Sequence, residues 1–343
     1  EKHSKKRDKQ IEFARELWKT GFVANSINTF CKNNFFLDTT LKKNNGLLEF
    51  DDIANWSATE EIPVSYDYNN YTIYKTDFWG QGPCLLQQLA ILKNFNLQNF
   101  SPFSPEFIHL VVESTKLAFA DREAFYGDPR FVQIPKKILL SEEYNKERSK
   151  LITDQASMEL KPGKIKGFGG PVVIRKKGNT SESFSKFDIG EPTNAKFNNI
   201  NSSSIGPNSG DTTHLDIIDK WGNMVSATPS GGWLQSSPII PDLGFCLSNR
   251  AQMFWLDKNS PACIAPGKRP RTTLSPNLAF KDGNPYMVFG TPGGDQQDQW
   301  SLHMFLRHVH FNLNLQESID APGFHTCHFP NSFYPRETDI GSL

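Results

Sequence analysis

Thr212 is the residue of this chain best suited to act as a nucleophile. It lies in the run Gly210-Asp211-Thr212-Thr213-His214, where a polar stretch ends and an alternating strand begins. A threonine hydroxyl within a chain has no base of its own, whereas at a chain N-terminus the α-amine, with a pKa of about 7.7–8.0, can take its proton. We therefore interpret the Asp211–Thr212 bond as a self-cleavage site that leaves Thr212 as nucleophile and base. Asp-Thr-Thr is equally typical of a turn before a β-branched strand. Other residues must therefore distinguish a cleavage site from a plain turn.

The segments on either side of Thr212 are suited to presenting it. Residues from about 178 to 211 are rich in Asn, Ser, Thr, Gly and Pro, and such a segment buries too little apolar surface to offset the entropy of ordering it. A flexible loop here would let the scissile bond adopt the strained geometry that an N-to-O acyl shift requires. Downstream, residues 215–218 and 224–228 flank the turn Trp221-Gly222-Asn223, which predicts a β-hairpin.

Apolar periodicity and turn residues predict the remaining elements. In chain order they are two helices in residues 9–33 separated by Gly21, strands at 62–66 and 71–75, a helix opened by Gly82-Pro83, a long amphipathic helix from Phe107 to about Tyr126, a buried strand at 286–290 and a helix carrying Trp300 and Leu306. Helices therefore come first, strands dominate the middle and a helix follows. This order indicates an α+β protein.

The composition excludes several functional classes. The chain has 37 Lys and Arg residues and 37 Asp and Glu residues, so its formal net charge is zero. It therefore has no excess of positive charge that would favour binding to nucleic acid. No apolar run has the length of a membrane span. The five cysteines are scattered and odd in number, which favours free thiols over a disulfide framework. Residues 325–328, His-Thr-Cys-His, resemble half of a metal site, but no second cluster completes it. We predict no metal and no cofactor.

Further motifs extend the pattern beyond Thr212. They are, in chain order, Gly46-Leu47-Leu48, Asp51-Asp52, Tyr71 to Tyr74, Leu117 to Arg122, Asp219 to Gly232, Pro266 to Pro276 and Gly290 to Gly294. In this order and at these spacings they resemble the γ-glutamyltransferase (γ-glutamyltranspeptidase) family of N-terminal-nucleophile hydrolases. The resemblance implies an αββα four-layer sandwich. Residues 1–211 would form the large-subunit part and residues 212–343 the small-subunit part of one folded domain, joined after cleavage as a heterodimer.

The resemblance also implies catalytic roles. Thr212 would attack an amide carbonyl and form an acyl-enzyme that water or an acceptor amine resolves. Ser230 stands where the family has a second threonine that orients the nucleophile, although a serine beside two glycines is also typical of a plain loop. Gly293 and Gly294 lie between a strand and a helix, where free N–H groups could stabilise an oxyanion.

The substrate pocket combines matches with departures from the family pattern. Thr272 and Thr273 align with paired serines that bind the α-carboxylate of a γ-glutamyl group. Gly232 replaces a substrate-binding asparagine. Gln252 and Met253 stand where the family has paired acids, one of which binds the α-amino group of the substrate. The family's carboxylate-binding arginine belongs to an N-terminal stretch that this chain does not contain, so we expect a fragment or a truncated form. Classical γ-glutamyl specificity is therefore in question.

Three functions compete on this evidence. The first is a self-processing γ-glutamyltransferase-like amidohydrolase or acyltransferase acting on a small-molecule amide, with transfer to water or an amine. The second is a true glutathione γ-glutamyltransferase of glutathione metabolism, made as a zymogen. The third is a truncated, non-catalytic binding or scaffold homologue. The first ten residues lack the apolar character of a signal peptide, which favours the cytoplasm, whereas a leader in a preceding segment would direct the protein to the periplasm or outside.

Overall fold

The computed structural model describes residues 5–37, 42–176, 212–232, 237–333 and 336–343. The predicted flexible loop and Asp211 lie outside these ranges. The chain folds as two compact units. One comprises Glu1–Glu61 with Leu234–Leu247, and the other comprises Ile62–Trp233 with Ser248–Leu343. The predicted division into large-subunit and small-subunit parts at residue 212 remains a prediction.

The described residues form a mixture of helices and strands, as the sequence predicts. The helices are α1 Arg7–Lys19, α2 Phe22–Asn33, α3 Phe50–Asn55, α4 Pro83–Leu92, α5 Pro105–Phe125, α6 Lys136–Leu139, α7 Glu142–Ser149, α8 Gln297–Phe311 and α9 Leu315–Asp320, with 3₁₀ helices at Leu97–Asn99 and Arg250–Met253. The strands are β1 Phe35–Leu37, β2 Lys43–Asn45, β3 Val64–Tyr68, β4 Tyr71–Lys75, β5 Arg175–Lys176, β6 Leu215–Ile218, β7 Met224–Ala227, β8 Ile239–Ile240, β9 Phe245–Cys246, β10 Asn277–Lys281, β11 Asn284–Phe289 and β12 Glu337–Thr338.

The first unit contains the predicted helix pair α1 and α2, with Gly21 between them. A Cβ on Gly21 would lie 2.6 Å from the α-carbon of Leu17, so the close reversal of the chain requires glycine there. The apolar face of α2 packs through Val23 and Ile27 against Ile240. This small core carries no residue of the predicted site.

The second unit is built on a four-stranded antiparallel sheet of order β11-β10-β4-β3. The β10–β11 hairpin turns through Asp282 and Gly283, both at positive φ, which is the Asp-Gly chemistry that a tight hairpin requires. Apolar side chains of the sheet, including Ile73 and Phe289, pack with Leu86 of α4 and Phe305 of α8 in one core. The sheet brings residues 71–75, from early in the chain, beside strands from its last third.

Helix α5 differs from the amphipathic helix predicted for this segment, because nearly every side chain from Leu110 to Phe125 is buried. Its charged residues are accommodated by ion pairs. Lys116 Nζ lies 2.6 Å from Glu113 Oε1, and Arg122 Nη2 lies 2.8 Å from Glu123 Oε1. Burial of charged groups is costly unless they are paired, so α5 is a core helix with an internal electrostatic network.

Three further observations bear on the class of protein. Within the described ranges, no helix is both long enough and apolar enough to cross a membrane. The cysteines of the described residues are all free, as the sequence predicts, and Cys31 and Cys84 are buried. The same residues contain no group of three or more His, Cys, Asp or Glu side chains arranged to hold a metal ion.

Candidate active site

The β6–β7 hairpin places Thr212 opposite Ser230. The predicted turn is present, with Gly222 at a φ of 85°, and Leu215 pairs with Ala227. The pairing continues beyond the strands, since the N–H of Thr213 donates to the Pro229 carbonyl at 3.2 Å. In this register the two hydroxyls meet, and Thr212 Oγ1 lies 2.9 Å from Ser230 Oγ in a hydrogen bond. The register of the hairpin therefore creates the contact.

The Ser230 hydroxyl oxygen is also held by two nitrogen donors. The N–H of Gly232 donates to Ser230 Oγ at 3.1 Å, and Arg250 Nη2 donates to it at 2.8 Å. Thr212 Oγ1 donates to the same oxygen at 2.9 Å. These contacts hold Ser230 Oγ beside the Thr212 hydroxyl.

Replacing Ser230 tests this arrangement. We expect Ser230→Ala to lower kcat by about 10- to 100-fold, because Thr212, the predicted nucleophile, loses the hydroxyl that holds it in place. Ser230→Thr, which keeps the hydroxyl, is the matched variant and should retain most of the activity. The measurement is steady-state release of p-nitroaniline from an acyl anilide. Equal rates for the alanine and threonine variants would show that the hydroxyl does not contribute.

The segment after β9 is fixed against the Ser230 loop. The N–H of Asn249 and the hydroxyl of Ser248 both donate to the Gly231 carbonyl, at 3.0 Å each. Gly232 has a φ of 91°, and a Cβ there would lie 2.2 Å from Asn249 Oδ1. Glycine is required at position 232 by both its conformation and this close approach. The sequence-predicted substrate residue Gly232 therefore makes room for Asn249.

Arg336 supports the same segment from the C-terminal side. Its Nη2 donates to the carbonyls of Gln252 and Phe254 at 2.9 and 2.8 Å, and its Nη1 donates to the Ser332 carbonyl at 2.9 Å. Burial lowers the pKa of Arg336 to about 10, which still leaves it charged at neutral pH. The 3₁₀ helix that begins with Arg250 is thereby held in place.

Thr272 and Thr273 are both buried. The N–H of Gln81 donates to the Thr272 carbonyl at 2.9 Å, and the N–H of Thr272 donates to the Trp79 carbonyl at 3.2 Å. Arg250 Nη1 donates to Thr273 Oγ1 at 3.2 Å. The guanidinium of Arg250 thus joins the Ser230 hydroxyl to one of the two predicted substrate-binding hydroxyls.

Gly293 and Gly294 lie between β11 and α8, as the sequence predicts. Gly293 has a φ of 120°, and a Cβ there would lie 3.1 Å from the Trp300 ring. Among the described residues, none accepts a hydrogen bond from the N–H of Gly293 or of Gly294. Backbone donors without partners at the start of a helix are suited to a developing oxyanion.

A buried polar chain holds the Gly294 peptide in position. Gln81 Nε2 donates to the Gly294 carbonyl at 3.0 Å, while Gln81 Oε1 accepts from Arg122 Nη1 at 2.9 Å. Arg122 also forms an ion pair with Asp295, the residue after Gly294. Burial alone would lower the pKa of Arg122, but the Asp295 and Glu123 carboxylates raise it above its ordinary value. Arg122 therefore stays charged. Its contacts with Gln81 and Asp295 hold the turn at Gly293 and Gly294 in place.

These contacts link every described residue that the sequence predicts for the site. The linked residues are Thr212, Ser230, Gly232, Thr272, Thr273, Gly293 and Gly294. Asp211 lies outside the described residues. Sequence reasoning missed two residues of this network. Arg250 joins Ser230 to Thr273, and Gln81 supports Gly294. The signal for Arg250 was present, because it immediately precedes the segment in which the expected acids are replaced.

Comparison with known proteins identifies the family. The model of the gamma-glutamyltranspeptidase family matches residues 14–338. The chain belongs to this family. The resemblance inferred from the Thr212, Ser230 and glycine motifs is thereby confirmed for the family as a whole.

Three known proteins illustrate what the chain is similar to. A glutathione hydrolase proenzyme of Bacillus subtilis is 31% identical over 319 residues, which cover 91% of this chain and 50% of that protein. The solved structure of LmbA2991HD is 42% identical with a TM-score of 0.79, covering 99% of this chain and 55% of that one. The structure of a cephalosporin acylase from Bacillus halodurans is 26% identical with a TM-score of 0.69, and the match covers 92% of this chain and 48% of that one. This family member therefore spans about half the length of these relatives.

Proposed function

We propose that this chain carries the catalytic part of a self-processing γ-glutamyltransferase-like amidohydrolase or acyltransferase, with the αββα four-layer arrangement of its class. The observation that carries the proposal is the hydrogen bond between Thr212 and Ser230, together with the donors that orient it. A threonine hydroxyl held in place by a neighbouring hydroxyl is suited to attack on a carbonyl once a base takes its proton. Residues 1–211 and 212–343 would remain associated as two subunits.

The proposed reaction has two halves. After cleavage of the Asp211–Thr212 bond, the free α-amine of Thr212 takes the hydroxyl proton while Oγ1 bonds to the amide carbon of the donor. Negative charge then develops on the carbonyl oxygen, where the N–H groups of Gly293 and Gly294 would stabilise it. Collapse of the intermediate breaks the carbon–nitrogen bond, and the amine leaves with the proton. Water or an acceptor amine then attacks the ester carbon and releases Thr212.

A second candidate is glutathione hydrolysis or γ-glutamyl transfer. The name of the Bacillus subtilis relative favours it, as do the buried hydroxyls of Thr272 and Thr273. Against it stands Met253, which is buried where the family pattern has an acid. An ammonium group beside a thioether, without a carboxylate, carries a large desolvation cost. We therefore favour acyl transfer with a donor other than the ordinary γ-glutamyl group. The intact chain of site contacts argues against a purely scaffolding role.

Denaturing mass spectrometry of the purified full-length protein tests the proposal. We expect two masses, one of which corresponds to residues 212–343 with an N-terminal threonine. Brief exposure to an acyl anilide, followed by acid quenching, should add the mass of the acyl group to that fragment alone. A protein that stays uncut and yet hydrolyses the anilide would overturn the proposed N-terminal nucleophile.

A further inference from the structure

The β6–β7 hairpin carries a second polar pair beside the pair formed by Thr212 and Ser230. In the register of the hairpin, His214 lies opposite Thr228, two residues along each strand from the first pair. Successive residues of a strand point to opposite faces of a sheet, so residues two apart share a face. The imidazole of His214 therefore projects from the same face of the hairpin as the Thr212 hydroxyl.

Both ring nitrogens of His214 are engaged. Nε2 lies 2.8 Å from Asp216 Oδ2, and Nδ1 lies 2.8 Å from Thr228 Oγ1. A carboxylate can only accept, so Nε2 donates to Asp216, while Nδ1 shares a hydrogen bond with the Thr228 hydroxyl. The His214 side chain is only 8% exposed. The ring cannot rotate without losing both hydrogen bonds, and it is therefore held in one orientation.

The imidazole occupies the space beside Gly290, the residue that follows β11. A Cβ built on Gly290 would lie 2.2 Å from His214 Cε1, 2.6 Å from Nε2 and 2.8 Å from Nδ1. These are the three nearest atoms, so the ring itself packs against the Gly290 backbone. Three residues later the chain reaches the turn at Gly293 and Gly294. His214 therefore fills the space between the strand that follows Thr212 and the strand that leads to the glycine turn.

We propose that His214 is a positioning residue for acyl transfer, and that its imidazole sets the separation between the Thr212 hydroxyl and the N–H groups of Gly293 and Gly294. The inference rests on the proposed function, which gives those groups their roles. The nucleophile and the oxyanion donors must both lie about 3 Å from the reacting group, yet they belong to different strands. A rigid ring with both nitrogens hydrogen-bonded is suited to fix such a separation.

Removal of the imidazole tests this spacer. We expect His214→Ala to lower kcat on an acyl anilide by about 10- to 100-fold with little change in KM, because a displacement of about 1 Å can cost that much. His214→Gln, whose amide can still donate to Asp216, should recover part of the loss. His109→Ala removes an imidazole of α5 that contacts the Thr153 carbonyl, and this control should leave kcat unchanged. A His214→Ala protein as active as the control would overturn the assignment.

Gly290→Ala approaches the same contact from the other strand. In wild type the new methyl group would overlap the His214 ring, so we expect kcat to fall by about 10-fold. In the His214→Ala background the ring is gone, and the same methyl group should cause little further loss. Effects of independent sites would multiply instead. A multiplicative fall in the double variant would therefore show that the ring and the glycine strand do not act as a unit.

A crystallographic measurement separates this inference from the proposed chemistry. Comparison of the distance from Thr212 Oγ1 to the Gly294 nitrogen in wild type and His214→Ala needs no turnover and no self-cleavage. We expect the two distances to differ by more than about 0.5 Å, the tolerance within which a catalytic arrangement must be held. Gly290→Ala, which displaces the ring without removing it, should change the same distance and provides a second variant.

The two possible failures give different results. An unchanged distance in both variants would overturn the role of His214 even in an active enzyme. A changed distance in a protein that stays uncut and inactive would uphold His214 as the spacer and refute the Thr212 mechanism.

Discussion

Thr212→Ala is expected to remain a single chain and to lose acyl transfer. Without the hydroxyl, no group at position 212 can attack the Asp211 carbonyl, and no nucleophile is available to the donor afterwards. Removal of an essential nucleophile typically costs roughly 10⁴- to 10⁶-fold in turnover. A denaturing gel and mass spectrum report the cleavage, and p-nitroaniline release from glutaryl p-nitroanilide reports the turnover.

Thr212→Ser is the matched control, because it keeps the hydroxyl and loses only the methyl group. It should still cleave itself and turn over, more slowly than wild type, since the serine side chain has more rotamer freedom. Cleavage of the alanine variant at the same bond would show that an external protease, rather than the Thr212 hydroxyl, makes the cut.

Gly294→Val should leave the fold intact and lower turnover by about 10²- to 10³-fold. Gly294 is buried, and its carbonyl accepts from Gln81 Nε2 at 3.0 Å. A β-branched side chain would tilt this peptide and crowd the acyl group, so the N–H donors would no longer point at the oxyanion. The measurement is kcat on an acyl anilide, with thermal unfolding to show that the variant is folded.

Gly323→Val is a suitable control for the same change elsewhere. Gly323 is exposed, and a Cβ there would meet no atom within 4 Å. We expect this variant to keep both its stability and its turnover. A Gly294→Val protein as active as this control would show that the glycine pair is only a turn.

Much of the local structure could be predicted because it depends on short-range patterns. The Trp221-Gly222-Asn223 turn fixes the β6–β7 hairpin, and a short extension of its register brings Thr212 to Ser230. Gly82-Pro83 marks the start of α4 within one residue. Such features follow from turn chemistry and periodicity along the chain, without knowledge of the tertiary structure.

The parts that could not be predicted depend on contacts between distant segments. Arg122 has the sequence context of a solvent-facing charge on an amphipathic helix, yet it is fully buried because Asp295, from the other end of the chain, pairs with it. Gln81 has the context of a loop residue, yet it bridges Arg122 and Gly294. Arg250 was missed because its link to Ser230 depends on how the 3₁₀ helix is held. Periodicity carries no information about such pairings.

The close approach of Asn249 to Gly232 has a consequence for protein engineering. A side chain at position 232 would need a positive φ and would overlap Asn249 Oδ1. Any residue larger than glycine at position 232 therefore requires the Asn249 side chain to move. Libraries that vary positions 232 and 249 together should thus reach combinations that single-site scans cannot.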